Sequence, residues 1–451
     1  MNQNCLRNLL ICLTLFSLCC ALAAAQENAQ LPELRSKRLL NDLQVLVAST
    51  PYLGDKMTIG LVLRYGAAYD PADKGGLANL VARMLMKASA ERTAKDIQTE
   101  LTYLEATMDI QCDWDGFRIF LRGKSSTVER ALLLLYQIVG EAQFNEPDFI
   151  AEKQSILANL QKPQDPRKLI NAEFKDALFS GTNHGRPIEG TPKSLAAITV
   201  GDVRYFYRRY FNPGQASLIV VGDLYASDVI PRTSRIWGVW VRAEDIPPTF
   251  RQPTKPAGRQ IYLEDDPSSP AAQFIIGNFF PNREDPAYSN AQMAAHILQE
   301  RLTKLLPTSL LTVGSEGRSK FSPFYIQGQA AADQAVTQIR KIEDAVEDLK
   351  ANAVSKEELE SARKQLLGAF TRDLSSTDGL CDKLMDSELY RLGVNYLTGY
   401  PDQIRRCDVD AVMRAAKDYL FPEGEILLVS GPADTLKREL APLGTLQKLA
   451  P

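Results

Sequence analysis

The residues whose spacing bears most directly on chemistry lie in segment 76–86. Apolar side chains recur there at i, i+3, i+4, i+7 and i+8, which predicts an amphipathic helix packed on a core: Leu77, Leu80, Val81, Met84 and Leu85. The opposite face carries Asn79, Ala82 and Arg83 at i, i+3 and i+4. Two His residues at i and i+4, with a Glu before the second, would form a zinc site of the H-x-x-E-H type. The segment therefore has the spacing of that motif without its metal-binding residues.

These residue types disfavour zinc binding. Catalytic zinc is bound by Cys, His or carboxylate side chains, commonly three from the protein. The amide of Asn79 is a poor zinc donor, and the guanidinium of Arg83 repels the ion by about 4 kcal/mol per unit charge at about 4 Å and an effective dielectric of about 20. Ala82 cannot act as a general base, a role that contributes roughly 10²–10⁴-fold to rate.

The composition is that of an ordinary globular protein with two or more domains. The chain has 451 residues, of which 45% are hydrophobic and 24% charged, and its formal net charge of -3 gives no electrostatic basis for nucleic-acid binding. It contains two His residues, His184 and His296, and neither has a Cys, Asp or second His at ligand spacing. We expect both to have structural roles. No G-x-S-x-G nucleophile motif is present.

The N-terminal residues 1–25 have the features of a secretory signal peptide. Arg7 supplies the positive charge, residues 9–22 are apolar, and residues 21–25 contain small-residue cleavage sites. The alternative is an uncleaved membrane anchor, although the apolar run is short for a bilayer-spanning helix. The sequence therefore predicts a periplasmic or secreted protein with no other membrane contact.

Outside that segment the chain has three cysteines, Cys112, Cys381 and Cys407. Three cysteines do not form a disulfide framework. A Cys381–Cys407 bond and buried free thiols are both compatible with the sequence.

The order of predicted elements indicates an α+β fold. Short apolar runs predict strands at 44–47, 57–63 and 216–221, and two alternating runs at 108–112 and 117–122 predict a hairpin. Helices are predicted near 127–142 and 146–160. Two further helices are predicted to begin at capping boxes at Thr93 and Ser355, and Asp73 is the expected cap of the helix in 76–86.

The second half of the chain repeats the first. Gln44 and Gln260 begin similar strands 216 positions apart, Asp70-Pro71 recurs 215 positions later, and the turn at Phe211 recurs after 210 positions, at Phe421. A nearly constant offset indicates duplication of one unit. A Pro-rich linker near 242–257 predicts two halves, 26–245 and 246–451, each an antiparallel sheet packed by helices.

With these features the chain resembles the insulinase/pitrilysin family of zinc peptidases, and most closely its processing-peptidase-like bacterial members. The resemblance rests on six stretches in order: 43–47, 70–71, 76–78, 186–191, 210–222 and 357–368. It implies a clamshell of two similar halves with the metal in the first. The third ligand of that family is a Glu on a later helix, and here Asn159 stands at that position, 76 residues after Arg83. Glu152, on the same helix, could pair with Arg83 in a polar network, and a solvated cleft floor without function is the alternative.

The resemblance also implies a division of labour found in some members of the family. One subunit carries zinc, and a metal-free subunit supplies an Arg and a Tyr from its second half. Here Arg318 and Tyr325 have that mutual spacing, although 324–326 also predicts a strand. We therefore expect an inactive subunit without a cofactor of its own, which binds peptide and pairs with a zinc-bearing homologue or with itself. The alternatives are a stand-alone peptide-binding or scaffold protein and an active zinc metalloendopeptidase.

Overall fold

The computed structural model describes residues 32–244, 250–269, 271–393, 395–421 and 424–447. The predicted signal peptide lies outside these ranges, and so do residues 422–423 of the repeated turn and the predicted boundary between the halves at residues 245–246. None of the helices within the described ranges combines the length and hydrophobicity needed to cross a membrane.

The first half forms a six-stranded mixed sheet in the order β1-β2-β6-β3-β5-β4. Its strands are β1 (Glu33–Arg38), β2 (Gln44–Ser49), β3 (Met57–Leu63), β4 (Thr107–Cys112), β5 (Phe117–Gly123) and β6 (Ala216–Gly222). Neighbours pair antiparallel except β2 and β6, which run parallel. This parallel pair differs from the fully antiparallel expectation because β2 and β6 come from opposite ends of the half, where sequence order does not determine direction.

The second half repeats this arrangement in the order β12-β7-β11-β8-β10-β9. Its strands are β7 (Gln260–Asp265), β8 (Ala271–Phe280), β9 (Thr312–Ser315), β10 (Ser322–Ala331), β11 (Ile426–Gly431) and β12 (Leu446–Gln447). Here β11 and β12 both run parallel to β7. The predicted duplication is visible in five strands of each sheet, which have the same order and directions, whereas the sixth strand is the N-terminal antiparallel β1 in one sheet and the C-terminal parallel β12 in the other.

Helices cover both faces of each sheet. The first half contributes α1 (Leu77–Met84), α2 (Ala94–Tyr103), α3 (Val128–Gly140), α4 (Glu146–Leu160), α5 (Pro166–Leu178), α6 (Pro192–Ala197), α7 (Val200–Tyr210) and α8 (Ala226–Trp237). The second half contributes α9 (Tyr288–Leu305), α10 (Ala335–Ala351), α11 (Lys356–Asp373), α12 (Thr377–Leu389), α13 (Tyr396–Arg406), α14 (Val409–Tyr419) and α15 (Ala433–Leu440). Both predicted capping boxes are present, at α2 and α11.

Two helices are exchanged between the halves. Helix α5 packs on β8 and β11 of the second sheet, and its equivalent α12 packs on β3 and β6 of the first. Glycines permit both approaches: Gly60 lies under α12, where an added Cβ would be 2.5 Å from Cys381 Sγ, and Gly277 lies under Phe174 of α5. Each sheet is therefore buried on one face by its own half and on the other by its neighbour.

The three cysteines of the described chain are free thiols, and Cys381 and Cys407 are both buried. The alternative of a Cys381–Cys407 disulfide is thus not formed.

Candidate functional site

Helix α1 is fixed at its N-terminus by Asp70. The two carboxylate oxygens of Asp70 accept hydrogen bonds from the backbone N–H groups of Gly76 (2.9 Å), Leu77 (3.1 Å) and Ala78 (2.9 Å). These groups are donors that a helix cannot satisfy internally. The expectation that Asp73 caps this helix is wrong: Asp73 is exposed, and the buried Asp70, six residues before the N-cap Gly76, reaches back over the turn.

A compact charged cluster joins α1 to α4. Arg83 Nε donates to Glu152 Oε2 (2.8 Å), and its Nη2 donates to Ser155 Oγ (3.1 Å). Lys87, four residues after Arg83 and beyond the end of α1, places Nζ 2.7 Å from Glu152 Oε1. Each carboxylate oxygen of Glu152 therefore has its own cationic donor, an arrangement that gives strong charge-assisted hydrogen bonds.

The two cations determine the protonation of Glu152. Burial alone would raise the pKa of this carboxyl, but the hydrogen bonds from Lys87 and Arg83 and their positive charges outweigh it and hold the pKa below its ordinary value. Glu152 is consequently an anion at neutral pH whose charge is already compensated. The cluster as a whole carries one net positive charge.

Within the described residues, the other positions of the degenerate motif make no hydrogen bond or ion pair with Arg83, Lys87 or Glu152. Ala82 is buried in the first-half core, and Asn79 is partly exposed on α1. Asn159 is exposed near the end of α4, where its Oδ1 accepts a hydrogen bond from Lys162 Nζ (2.7 Å). The structure thus brings Arg83 and Glu152 together, and it places Lys87 with them, a residue that the sequence interpretation did not include.

The side chains at this site do not fit a zinc ion. Two amides, a methyl group and a guanidinium stand at the donor positions, and the nearby carboxylate of Glu152 is bound by two cations. Across the described ranges, no group of three or more His, Cys, Asp or Glu side chains is arranged to hold a metal. The cluster has the character of an internal ion pair that links two helices.

Family models match most of the chain. The model described as insulinase (peptidase family M16) matches residues 45–192, and the model described as peptidase M16 inactive domain matches residues 197–366. The chain belongs to the insulinase family.

Related proteins carry names of the same kind. An uncharacterized zinc protease from Rickettsia bellii is 24% identical over 345 residues, which are 73% of this chain and 81% of that protein. Another from Rickettsia felis is 26% identical over 201 residues, 44% of this chain and 48% of that protein, so this match spans about half the length of the relative.

Solved structures show the same fold. A peptidase M16 inactive domain from Pseudomonas fluorescens superimposes with a TM-score of 0.81 at 21% identity, over 89% of this chain and 98% of that one. The periplasmic protease PqqL from Escherichia coli gives a TM-score of 0.76 at 15% identity, over 89% of this chain and 46% of that one. The two-halved clamshell of this insulinase-family chain is therefore shared with both.

Arg318 and Tyr325 make different direct contacts in this insulinase-family chain, although burial raises the pKa of the Tyr325 hydroxyl and the charge of Arg318 reaches that hydroxyl and opposes the rise. Arg318 is buried; its Nη2 donates to Glu316 Oε2 (2.5 Å), and its guanidinium lies 3.9 Å from the ring centre of Trp114. Tyr325 lies on β10, as the strand prediction for 324–326 required, and packs edge-on against Phe174. Arg318 thus joins the two halves, whereas Tyr325 lines a cavity between them.

The two histidines lie among structural contacts. His184 is buried beside Phe179, Phe250 and Phe321, and burial lowers its pKa to about 4, with further contributions from Arg318 and Arg186. His296 lies on α9 with its Nε2 3.3 Å from Gln365 Oε1. In the described part of the chain, neither contacts the Arg83 cluster, and their structural roles stay a prediction.

Proposed function

We propose that this chain is a non-catalytic insulinase-family subunit that holds peptides between its two halves and pairs with a zinc-bearing homologue. The observation that supports this proposal is the ion pair between Arg83 and Glu152. Arg83 stands where the H-x-x-E-H motif has its second His, and its guanidinium supplies positive charge at that position.

Metal binding would require this cluster to be dismantled. A zinc ion near α1 would meet the charge of Arg83 and that of Lys87, each repulsive by several kcal/mol at contact distance. The remaining carboxylate, Glu152, would have to exchange two charge-assisted hydrogen bonds for a single metal bond. Ala82 leaves no side chain to activate water, so hydrolysis has neither a metal nor a base at this position.

The non-catalytic and export parts of the proposal are supported by different observations. The Pseudomonas fluorescens neighbour, described as an inactive domain, has this fold over nearly its whole length, so the fold is compatible with a non-catalytic role. The signal-like residues 1–25 and the periplasmic description of the Escherichia coli neighbour support a periplasmic location.

The catalytic part is tested on the purified chain by metal analysis and a peptidase assay. We expect far less than one zinc ion per chain. We also expect no chelator-sensitive cleavage of a mixed peptide pool. A homologue that retains H-x-x-E-H, purified in parallel, controls for loss of metal during preparation. Stoichiometric zinc in this chain together with chelator-sensitive cleavage would overturn the proposal.

The pairing part is tested by co-expression with an H-x-x-E-H homologue from the same organism. We expect the two chains to co-elute in a complex of defined mass and the complex to cleave peptides faster than the homologue alone. The second candidate, a stand-alone peptide-binding protein, is favoured by the fact that one chain contains both sheets and the cavity between them. Peptide binding without any association would decide for that candidate.

A further inference from the structure

A cavity of about 370 Å³ lies between the two halves, separate from the Arg83 cluster. Its walls come from the β4–β5 turn at Trp114, the loop 185–189, helix α5, and Tyr325 and Gln327 of β10. The loop packs against the start of α1, since a Cβ added to Gly76 would lie 2.8 Å from the carbonyl oxygen of Glu189. Its volume is within the range of about 300–1,000 Å³ that is typical of ligand pockets.

The lining of this cavity is strongly basic although the chain is slightly acidic overall. It contains Arg167, Lys168, Lys175 and Arg186 against one carboxylate, Glu189. Such a concentration of one charge sign in a concave site attracts ligands of the opposite sign.

Among the described residues, three of these four cations have no carboxylate partner, and one of the three, Arg186, donates to backbone carbonyls and to the side-chain oxygen of Asn183. Lys175 is paired with Glu316 (2.5 Å). Arg167 Nη2 donates to the neutral hydroxyl of Thr312 (3.0 Å), and Lys168 is exposed on α5. Within the ranges that the structure describes, neither Arg167 nor Lys168 forms an ion pair, so the cavity retains positive charge for an incoming group.

The same cavity offers apolar and amide surfaces. Trp114, Ile188 and Tyr325 provide aromatic and aliphatic contact area, and Asn171 and Gln327 provide side-chain amides. Arg186 closes one side, with Nη1 donating to the carbonyl oxygen of Pro71 (2.7 Å). An occupant that matches this lining carries a carboxylate beside an apolar group, with polar atoms that an amide can bind.

We propose that this cavity binds the carboxylate-bearing part of a peptide, with the carboxylate near Arg167 and Lys168 and an adjoining apolar residue against Trp114. The inference rests on the proposed peptide-holding function and specifies its ligand class as acidic peptides. Because both halves line the cavity, the bound peptide contacts both.

Calorimetric titration of the full chain with matched peptides tests the charge preference. The first peptide is amidated with one internal Glu beside Leu; the second replaces Glu with Gln; the third has Gln and a free C-terminal carboxylate. We expect the Glu peptide to bind about tenfold more tightly than the neutral one, as one charge-assisted hydrogen bond provides. If only the third peptide binds more tightly than the neutral one, the cavity recognises the C-terminal carboxylate of a peptide, and the preference for an acidic side chain is refuted. Equal affinities, or a preference for a Lys peptide, would overturn the inference.

Variants locate the effect. Lys168→Glu is expected to weaken the Glu peptide about tenfold and leave the neutral peptide unchanged, because only the first meets the altered charge. Lys364→Glu, on the exposed face of α11, is the matched control and is expected to bind like the unaltered chain. Unchanged binding in Lys168→Glu, or equal loss in the control, would contradict the assignment; thermal unfolding curves establish that both variants are folded.

The intrinsic fluorescence of Trp114 gives an independent readout. We expect the Glu peptide to change the emission of the chain and the change to disappear in Trp114→Phe, since the other tryptophans, Trp237 and Trp240, are buried in the first-half core. A change that persists without Trp114 would place the peptide elsewhere. A negative result in these peptide-binding experiments would not change the outcome of the zinc and pairing experiments. The acidic-peptide proposal and the proposed function can therefore be refuted independently.

Discussion

Replacing Glu152 with Gln removes the one negative charge that holds Arg83 and Lys87 together. The carboxylate is nearly buried, with 11% of its side-chain surface exposed, whereas the side chains of Arg83 and Lys87 are 36% and 35% exposed. Solvent reaches the cations, so each lost ion pair is worth about 1 kcal/mol, at the upper end for accessible pairs.

We therefore expect Glu152→Gln to lower the free energy of unfolding by about 2 kcal/mol, the sum of the two ion pairs. The positive charges of Arg83 and Lys87 also repel each other, by roughly 1 kcal/mol at an effective dielectric between those of protein and water, whether or not Glu152 is charged. Arg83→Met loses one ion pair but relieves this repulsion, so it should change the free energy of unfolding by less than about 1 kcal/mol.

The decisive variant combines both changes. Glu152→Gln with Arg83→Met removes the repulsion, so it should be more stable than Glu152→Gln alone by about 1 kcal/mol. The double-mutant cycle separately measures the coupling between Arg83 and Glu152, which we expect to be about 1 kcal/mol. Urea unfolding followed by circular dichroism gives these free energies, with Glu284→Gln in an exposed loop as the neutral control. If the two single changes simply add, or if Glu152→Gln costs less than about 0.5 kcal/mol, the cluster does not couple α1 to α4 as described.

Three further outcomes follow from the structure. Gly60→Ala should destabilise by about 1–3 kcal/mol because its methyl group would meet Cys381 under α12, whereas Gly399→Ala, with open space around it, should be neutral or slightly stabilising in the same urea assay. Asp70→Ala should lower the free energy of unfolding by about 1–3 kcal/mol because the cap of α1 is lost. Asp73→Ala, at an exposed position, should change it by no more than about 0.5 kcal/mol, and equal effects of the two changes would contradict the capping role of Asp70. The pKa of His184 falls from its ordinary 6.5 to about 4, so its neutral form is favoured by folding and stability should be lost between those values as the pH falls. That loss is about 3 kcal/mol between pH 7 and 4, and His184→Gln should lack it. If unfolding free energies measured across this pH range fall equally in His184→Gln and in the unaltered chain, His184 is not the cause.

Local patterns in the sequence were sufficient to predict many of the helices and strands. The span 146–160 matches α4, because Asn145 caps its start and helical periodicity is a short-range property. The β4–β5 hairpin and both capping boxes were predicted for the same reason. The duplication was detectable because strand, turn and helix recur at nearly constant offsets.

Long-range contacts were not accessible in this way. The exchange of α5 and α12 depends on which sheet each helix meets, and both helices have ordinary amphipathic sequences. Lys87 lies beyond the end of α1, although its spacing of four residues from Arg83 was an available signal. Asp70 acts as a cap because the turn at 71–75 folds back, and that geometry has no simple sequence pattern.

The candidate site was predicted in part. The residue types at positions 79, 82, 83 and 159 could be read directly, and they indicated a poor metal site. The hydrogen bond between Asn159 and Lys162, and the burial of Arg318 against Trp114, depend on the tertiary structure and have no sequence signal. The cavity at Lys168 draws on segments more than 150 residues apart, so no local pattern marks it.

The exchanged helices have a consequence for how the polypeptide can be divided. A fragment that ends in the linker would carry α5 without the sheet it covers and would expose the face of its own sheet that α12 protects. Neither fragment should be soluble by itself, while the two co-expressed should reassemble. A nick between the halves should likewise leave both pieces associated under native conditions, because each fragment supplies a structural part that its counterpart lacks.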